Sequence, residues 1–143
     1  MRFFLILFLV VSNLFFAQNV VIWSASYSKE KSEILIKAKI DKDWHLYSQY
    51  VSPNAGPVPT TIKITKNKKV KLKGKPKEEN VHAMYDENFM AHIAVFDNEA
   101  VFKQKIKLKK STEIEISVTY MVCDKTRCLP PKEEKIKLKI DKE

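Results

Sequence analysis

The sequence predicts a single all-β domain built as an antiparallel β-sandwich. Apolar and polar residues alternate strictly in several short runs, a pattern typical of strands with one buried face. Turn-forming residues separate these runs, and helical periodicity is hard to find after residue 18. A chain of 143 residues, 45% of them hydrophobic, suffices for one core but not comfortably for two. Seven or more short strands at this size favour a sandwich over a barrel or a βαβ fold.

The first seventeen residues predict a secretory signal peptide. Arg2 supplies a positive charge, an apolar run follows at 3–16, and the small residue Ala17 ends it. The run is interrupted by two polar residues and is shorter than the roughly 20 apolar residues that a membrane-spanning helix needs. We therefore expect a signal peptide at 1–17, export to the periplasm, and a mature domain at 18–143.

Five runs carry the clearest alternation and are expected to be strands. The strongest is 113–120, and the others are 34–40, 61–65, 89–96 and 101–108. Turn signals rich in Pro, Gly, Asn, Asp or Ser lie between them, at 52–57, 73–76, 97–99 and 109–111.

Two stretches break the strand pattern and are expected to be loops. Residues 51–59 hold three prolines and one of the two glycines of the chain. Residues 81–88 mix a histidine, a tyrosine and two acidic residues without clear periodicity. Loops of this kind on a rigid scaffold often carry function.

The net charge of +9, from 26 Lys and Arg against 17 Asp and Glu, raises the question of a nucleic-acid partner. The lysines alternate with apolar residues at 103–108 and 135–140, which places them on the solvent face of half-buried strands. No aromatic stacking motif is interleaved with them. We therefore expect no nucleic-acid partner.

The two cysteines, Cys123 and Cys128, lie five positions apart at the end of the strongest strand pattern. A hairpin would bring their sulfurs within bonding range, and an exported compartment permits a disulfide. A structural staple over so short a loop would stabilise by only about 2 kcal/mol. Lys125 and Arg127 favour a reactive thiolate, whereas Asp124 opposes it and is itself a candidate proton acceptor. Spacing alone leaves the staple and the redox site open.

Other chemistries fit the pair less well. A zinc site needs further ligands, and the three histidines, His45, His82 and His92, are scattered over separate segments. A cysteine hydrolase would need an orienting residue and an oxyanion site, for which no signal is present. The sequence therefore predicts no metal and no cofactor.

Five segments in the same order carry a resemblance to a known family. They are 43–48 (DWHLYS), 56–60 (GPVPT), 74–76 (GKP), 85–89 (YDENF) and 120–131 (YMVCDKTRCLPP). The chain resembles the N-terminal periplasmic domain of the bacterial thiol:disulfide interchange protein DsbD over about residues 22–140. In that family the full-length protein is a membrane reductase that carries electrons from cytoplasmic thioredoxin into the periplasm.

The resemblance implies an immunoglobulin-like sandwich with a cap loop over a cysteine hairpin. It implies Cys123 and Cys128 as the catalytic pair, with Cys128 meeting partners and Cys123 resolving the mixed disulfide. The implied cap is Asp86, Glu87, Asn88 and Phe89, with Phe89 shielding the sulfurs, although an ordinary core role for this ring is the plainer reading. His45, Tyr47 and Asp124 are expected to line the same pocket.

The resemblance also implies an activity of the protein-disulfide reductase type. Electrons would pass from a thioredoxin-like domain or membrane carrier supplied in trans to periplasmic disulfide clients, such as an isomerase or a cytochrome c maturation factor. Two alternatives stay open: a binding or adaptor sandwich whose disulfide is only structural, and a chaperone that senses reductant.

Overall fold

A computed structural model describes residues 19–65 and 67–142 as an all-β domain. Eleven strands and one 3₁₀ turn (Pro53–Ala55) make up its regular structure. The strands are β1 (Val21–Ser28), β2 (Glu33–Ile40), β3 (His45–Tyr47), β4 (Thr61–Ile64), β5 (Val70–Glu79), β6 (His82–Asp86), β7 (Ala91–Asp97), β8 (Glu99–Leu108), β9 (Thr112–Tyr120), β10 (Val122–Cys123) and β11 (Lys132–Ile140). None of the described segments is a helix long and apolar enough to cross a membrane. The expected signal peptide lies outside the described residues.

The strands form three antiparallel sheets. The first has the order β1-β2-β8-β5, the second β10-β3-β7-β6, and the third β11-β9-β4. Every pairing is antiparallel, from the eight-residue β1–β2 ladder to the two-residue β10–β3 ladder. The antiparallel all-β prediction is therefore confirmed.

The main core lies between the inward faces of the sheets and consists mainly of aliphatic and aromatic side chains. In β2 the residues at every second position are buried, and in β9 the same alternation recurs, because successive strand residues point to opposite faces. Aromatic rings join the sheets: Phe102 of β8 lies 5.3 Å from Phe96 of β7, and Trp23 of β1 lies 5.3 Å from Tyr120 of β9. Fully buried members of the main core are Ile34, Ile36, Ala38, Leu46, Phe96, Ala100, Phe102, Ile116 and Val118.

The second sheet is buried on both of its faces at β3 and in the middle of β7. Leu46 of β3 belongs to the main core, whereas its neighbour Tyr47 belongs to a separate cluster on the other face. The same division separates Phe96 from Val95 in β7. We call this separate cluster the small core, and its buried members are Tyr47, Val51, Ile93, Val95 and Cys123.

The structure corrects the expected element boundaries. Part of the loop expected at 81–88 is strand β6, whose inward positions include the charged Asp86, so hydrophobic periodicity does not reveal it. The strand expected at 89–96 begins only at Ala91, after a turn at 87–90. The turn expected at 73–76 is an irregularity inside β5, where Gly74 has a φ of +70° and the pairing register with β8 shifts.

Cys123 does not belong to the strongest strand, although the sequence pattern places it at the end of that strand. Strand β9 stops at Tyr120, and Met121 separates it from β10, which holds Cys123. The two strands belong to different sheets, because β9 pairs with β4 and β11, whereas β10 pairs with β3. This change of sheet places Cys123 beside β3 rather than at the end of the β9 ladder.

Candidate functional site

The two cysteines are joined by a disulfide across a tight hairpin. Their Cα atoms lie 4.0 Å apart, and the two residues face each other as an antiparallel pair. Two backbone hydrogen bonds close the hairpin on either side of Cys128, from Asp124 N to Arg127 O (2.9 Å) and from Leu129 N to Val122 O (2.9 Å). The hairpin proposed from the spacing is confirmed.

Asp124 organises the turn between the cysteines. Its Oδ1 accepts hydrogen bonds from the backbone N of Thr126 (2.7 Å) and of Arg127 (2.8 Å), and from Thr126 Oγ1 (3.0 Å). The amides of Thr126 and Arg127 stabilise the charged carboxylate, so the pKa of Asp124 lies below its ordinary value. The carboxylate is thus engaged within the turn as an anion.

The two sulfur-bearing residues differ in burial. Cys123 is fully buried (0% exposed) as a member of the small core, whereas Cys128 is half-buried and packs at the edge of that core. Met121 packs at the same edge, and its Sδ accepts a hydrogen bond from Val58 N (3.4 Å). Of the two cysteines, Cys128 is therefore the more exposed residue.

Three polar side chains meet beneath the hairpin. His45 lies directly opposite Cys123 in the β3–β10 pairing, so both side chains leave the same face of the sheet. His45 Nε2 lies 3.0 Å from Asp86 Oδ2 and 3.0 Å from the Tyr47 hydroxyl. The Tyr47 hydroxyl donates to the same Asp86 oxygen. The network links His45 and Tyr47, the first and last residues of β3, to Asp86, the last residue of β6.

Burial and hydrogen bonding act in opposite directions on Asp86, which is 1% exposed. Burial raises its pKa, but the hydrogen bonds from Tyr47, His45 and the backbone N of Asn88 together outweigh burial and lower the pKa below the ordinary value. The pKa of Tyr47 is raised, first by burial and then by its bond to Asp86. The network thus holds an anionic carboxylate and a neutral phenol.

The expected cap residues lie at the end of β6 and in the turn that follows it. Asp86 closes the strand, and Glu87, Asn88 and Phe89 form the turn, with Glu87 exposed to solvent. Asp86 Oδ1 accepts from Asn88 N (2.8 Å), and Asn88 Nδ2 donates to the backbone O of Asp124 (2.8 Å). A hydrogen bond therefore links this cap turn (residues 87–90) directly to the cysteine hairpin.

Phe89 turns inward onto the small core. Its ring lies edge-on to Tyr47 at 6.0 Å between centroids. The ring also fills the space above Gly56, where an added Cβ would lie 2.4 Å from Phe89 Cδ1. Gly56 has a φ of +106°, a conformation that other residues rarely adopt. The glycine therefore provides the seat for the Phe89 ring.

A cavity of about 340 Å³ opens beside the network. Five of the sequence-predicted residues line it: His45, Asp86, Glu87, Asn88 and Asp124. The other four, Tyr47, Phe89, Cys123 and Cys128, form or flank the small core. In the described part of the chain, no three His, Cys, Asp or Glu side chains are placed to hold a metal ion.

Sequence reasoning missed several contacts at the site. The guanidinium carbon of Arg127 lies 5.6 Å from the centre of the Trp44 ring, which lines the cavity. Arg127 Nε also lies 3.7 Å from Asp124 Oδ2. Trp44 stands next to His45 in the segment that carried the resemblance, and Gly56 was visible as a glycine in a proline-rich loop, but their partners are distant in sequence.

The fold and the cysteine hairpin define a class of protein, the all-β thiol-disulfide interchange domain. A sequence profile of the N-terminal domain of thiol:disulfide interchange protein DsbD matches residues 14–140. The chain belongs to this family, which confirms the resemblance and the expected interchange function. A search of curated protein sequences finds no match.

Solved structures with the same fold share little sequence with the chain. The reduced DsbD N-terminal domain of Neisseria meningitidis aligns with a TM-score of 0.63 and 15% identity over 85% of this chain and 86% of that one. The complex of the DsbD and PilB N-terminal domains from the same organism aligns at 0.62 and 13%, over 87% of each chain. The N-terminal periplasmic domain of ScsB from Proteus mirabilis aligns at 0.53 and 19%, over 85% of this chain and 45% of that one.

Proposed function

We propose that this chain is a periplasmic electron-transfer module with protein-disulfide reductase activity, working through Cys123 and Cys128. The observation that carries the proposal is the unequal burial of a hairpin disulfide, with Cys123 enclosed and Cys128 half-buried. A thiol that must attack a second protein has to be reachable, and the thiol that resolves the intermediate does not. Family membership gives the reaction class.

The reaction is two successive exchanges. In the reduced protein the Cys128 thiolate attacks one sulfur of a client disulfide, and the second client sulfur leaves as a thiolate and takes up a proton. The Cys123 thiolate then attacks Cys128 within the mixed disulfide, and the first client sulfur leaves in the same way. Two electrons and two protons pass to the client, and the Cys123–Cys128 disulfide re-forms. A donor dithiol reverses these steps.

The partner that fits this chemistry is a thioredoxin-like domain or a membrane carrier supplied in trans. The DsbD N-terminal domain of Neisseria meningitidis forms a complex with the PilB N-terminal domain, so a relative of this fold does dock on a second protein. Periplasmic disulfide clients would receive the electrons. The cap residues Asp86, Glu87, Asn88 and Phe89 would limit access to the pair between encounters, and His45, Tyr47 and Asp124 would shape its surroundings.

The reduction potential of the pair is the first test. We expect a value of about −180 to −270 mV for the purified chain, measured against glutathione by thiol trapping, because carriers that cycle have potentials in that range. A value below about −300 mV would indicate an inert structural disulfide. That outcome would favour the adaptor alternative.

Single cysteine variants test the division of labour. Cys123→Ser retains the reachable thiol and should accumulate a stable mixed disulfide with an oxidised thioredoxin-like protein, visible on a non-reducing gel. Cys128→Ser retains only the enclosed thiol and should form little or none. Equal trapping by the two variants would contradict the assigned roles.

A further inference from the structure

The outer face of the first sheet carries lysines in an unusual register. In the β5–β8 ladder, lysine stands directly opposite lysine in three pairs: Lys71 with Lys107, Lys73 with Lys105, and Lys77 with Lys103. Directly opposite side chains in an antiparallel pair leave the same face about 5 Å apart, and like charges there destabilise the sheet. We call these six lysines the basic face.

The basic face points away from the main core. The residues that alternate with these lysines in β8 are Phe102, Gln104 and Ile106, and all three are buried. Gln104 also donates to the carbonyls of Lys73 and Gly74, which fixes the irregular part of β5 beneath the face. The lysines therefore lie on the solvent side of the sheet, and hydrogen bonds from the buried Gln104 hold the strands beneath them in place.

Acidic neighbours neutralise only part of this charge. Lys105 lies 3.1 Å from Glu33, and Lys103 forms an ion pair with Glu79. Within the described residues, the other four lysines of the basic face form no ion pair. These are Lys71, Lys73, Lys77 and Lys107, and all four are exposed.

The third sheet offers a contrast within the same molecule. Its strand β11 also carries three alternating lysines, but none of them stands opposite a lysine of β9. The opposite residues in β9 are Ser117 for Lys135, Glu115 for Lys137 and Glu113 for Lys139. Lys135 in addition lies 3.8 Å from Glu115. A basic strand in this fold can therefore be balanced by its neighbour, and the first sheet does not have that balance.

Protection of a sheet edge does not explain the difference. Lysines on an edge strand discourage pairing with another chain, and β5 is an edge strand. Strand β8, however, lies between β2 and β5, so Lys105 and Lys107 protect no edge. Edge protection therefore does not explain why the sheet tolerates the repulsion between these lysines and those of β5.

We propose that the basic face docks on the anionic phospholipid surface of a membrane. Lysine ammonium groups near such a surface contribute additively through their charge and require no shaped pocket. The described outward residues of the first sheet include no aromatic ring in β2, β5 or β8, so stacking on nucleic-acid bases has no platform there. An array of lysines without arginine also suits point-charge attraction rather than bidentate recognition.

Such docking leaves the cysteine pair accessible. The basic face is the outer side of the first sheet, whereas the small core lies on the outer side of the second sheet. The main core separates them, since Phe102 of the first sheet packs on Phe96 of the second. Docking through the basic face would hold the domain beside membrane-bound partners while Cys128 faces away from the lipid.

Vesicle binding tests this docking directly. The chain beginning at Gln18, which contains all eleven strands and both cores, is sedimented with phosphatidylcholine vesicles with or without phosphatidylglycerol as about a third of the lipid. We expect binding only to the anionic vesicles, weakened by added salt. The variant Lys71→Gln/Lys73→Gln/Lys107→Gln should bind roughly ten- to a hundredfold more weakly.

The matched control changes three lysines of the balanced sheet, as Lys135→Gln/Lys137→Gln/Lys139→Gln. It removes the same charge and should retain nearly all of the binding. Equal weakening by the two triple variants would show that net charge alone acts and would overturn the proposal. Absence of binding to anionic vesicles, or preferential binding to nucleic acid or an acidic protein, would also overturn it. Disulfide reduction rates in solution should be the same for all three proteins, which separates this test from that of the redox role.

Discussion

Leu46 and Tyr47 are neighbours in β3 and are both fully buried, yet they belong to two different interiors. On one side of the second sheet, Leu46 enters a main core made mainly of aliphatic and aromatic side chains. On the other side, Tyr47 enters a small core that also encloses a disulfide and contacts a buried carboxylate. The first interior supplies stability without chemistry. The second interior gives up some hydrocarbon packing to hold titratable and redox-active groups in fixed positions.

The largest expected effect of a single substitution falls in the main core. Phe102 is fully buried and contacts both Phe96 and Trp23. Phe102→Ala should lower the free energy of unfolding by about 3 to 5 kcal/mol, because it removes a large ring and leaves a cavity. Denaturant unfolding measures the loss. The reduction potential of the folded fraction should stay unchanged, and a shifted potential would show that the two interiors are coupled.

The next largest effect is expected at the polar network of the small core. Asp86→Asn removes a charged acceptor that serves Tyr47, His45 and the backbone of Asn88. Hydrogen bonds to a charged group are worth about 1.5 to 3 kcal/mol each, but the asparagine oxygen remains a neutral acceptor, so only part of that energy is lost. The free energy of unfolding should therefore fall by about 2 to 3 kcal/mol. The matched control is Asp97→Asn, an exposed carboxylate lining the same cavity, with an expected effect below about 1 kcal/mol. Equal losses would contradict the importance assigned to the buried network.

The Asp86 carboxylate also determines how the stability of the fold should change with pH. The pKa of Asp86 is lower in the folded protein than the ordinary value of about 3.9, so the unfolded chain binds its proton more readily. The stabilisation is complete above that ordinary pKa and is lost as the pH falls through the lowered value. Between pH 6 and pH 2, the free energy of unfolding should therefore fall more steeply in the native protein than in Asp86→Asn.

The contrast between the two interiors also decides what sequence reasoning could find. The strands of the main core were predictable because one face meets solvent, as where Ile36, Ala38 and Ile40 alternate with Lys37 and Lys39. Strand β3 has no such alternation, since all three of its residues are buried. Strand β6 directs Asp86 inward. Hydrophobic periodicity therefore predicts the scaffold and strand β7 of the second sheet, but it misses β3 and β6, which carry the polar network of the site.

The spacing of the two cysteines predicts their hairpin, but the rest of the site was predictable only through family resemblance. The short segments that carried it include His45, Tyr47, Asp86 and Phe89, and the structure brings these four side chains together. Their chemical roles stay predictions. Contacts between distant segments, such as Phe89 with Gly56 or Arg127 with Trp44, depend on how the loops close over the small core, and no local pattern reports that closure.

A smaller effect is expected at Gly56, on which the Phe89 ring packs. In Gly56→Ala the new Cβ would collide with Phe89, so the ring should be displaced from the small core. We expect a loss of about 1 to 2 kcal/mol in unfolding free energy and several-fold faster reduction of the disulfide by a phosphine. Gly74→Ala is the control, because Gly74 also has a positive φ but has open space around it. It should lose about 1 kcal/mol through backbone strain and keep the native reduction rate.

The smallest effect tests the hydrogen bond between the cap turn and the cysteine hairpin. Asn88→Ala removes the donor to the Asp124 carbonyl, so it should cost only about 0.5 to 1.5 kcal/mol in unfolding free energy. The lost bond joins the cap turn to the cysteine hairpin, so the disulfide should nevertheless react faster. The packing of Phe89 on Gly56 should still hold the rest of the cap turn in place. Asn54→Ala, an exposed site on the neighbouring loop, should change neither quantity. If Asn88→Ala lost stability without faster reduction, the bond would serve the fold of the turn rather than the covering of the sulfurs.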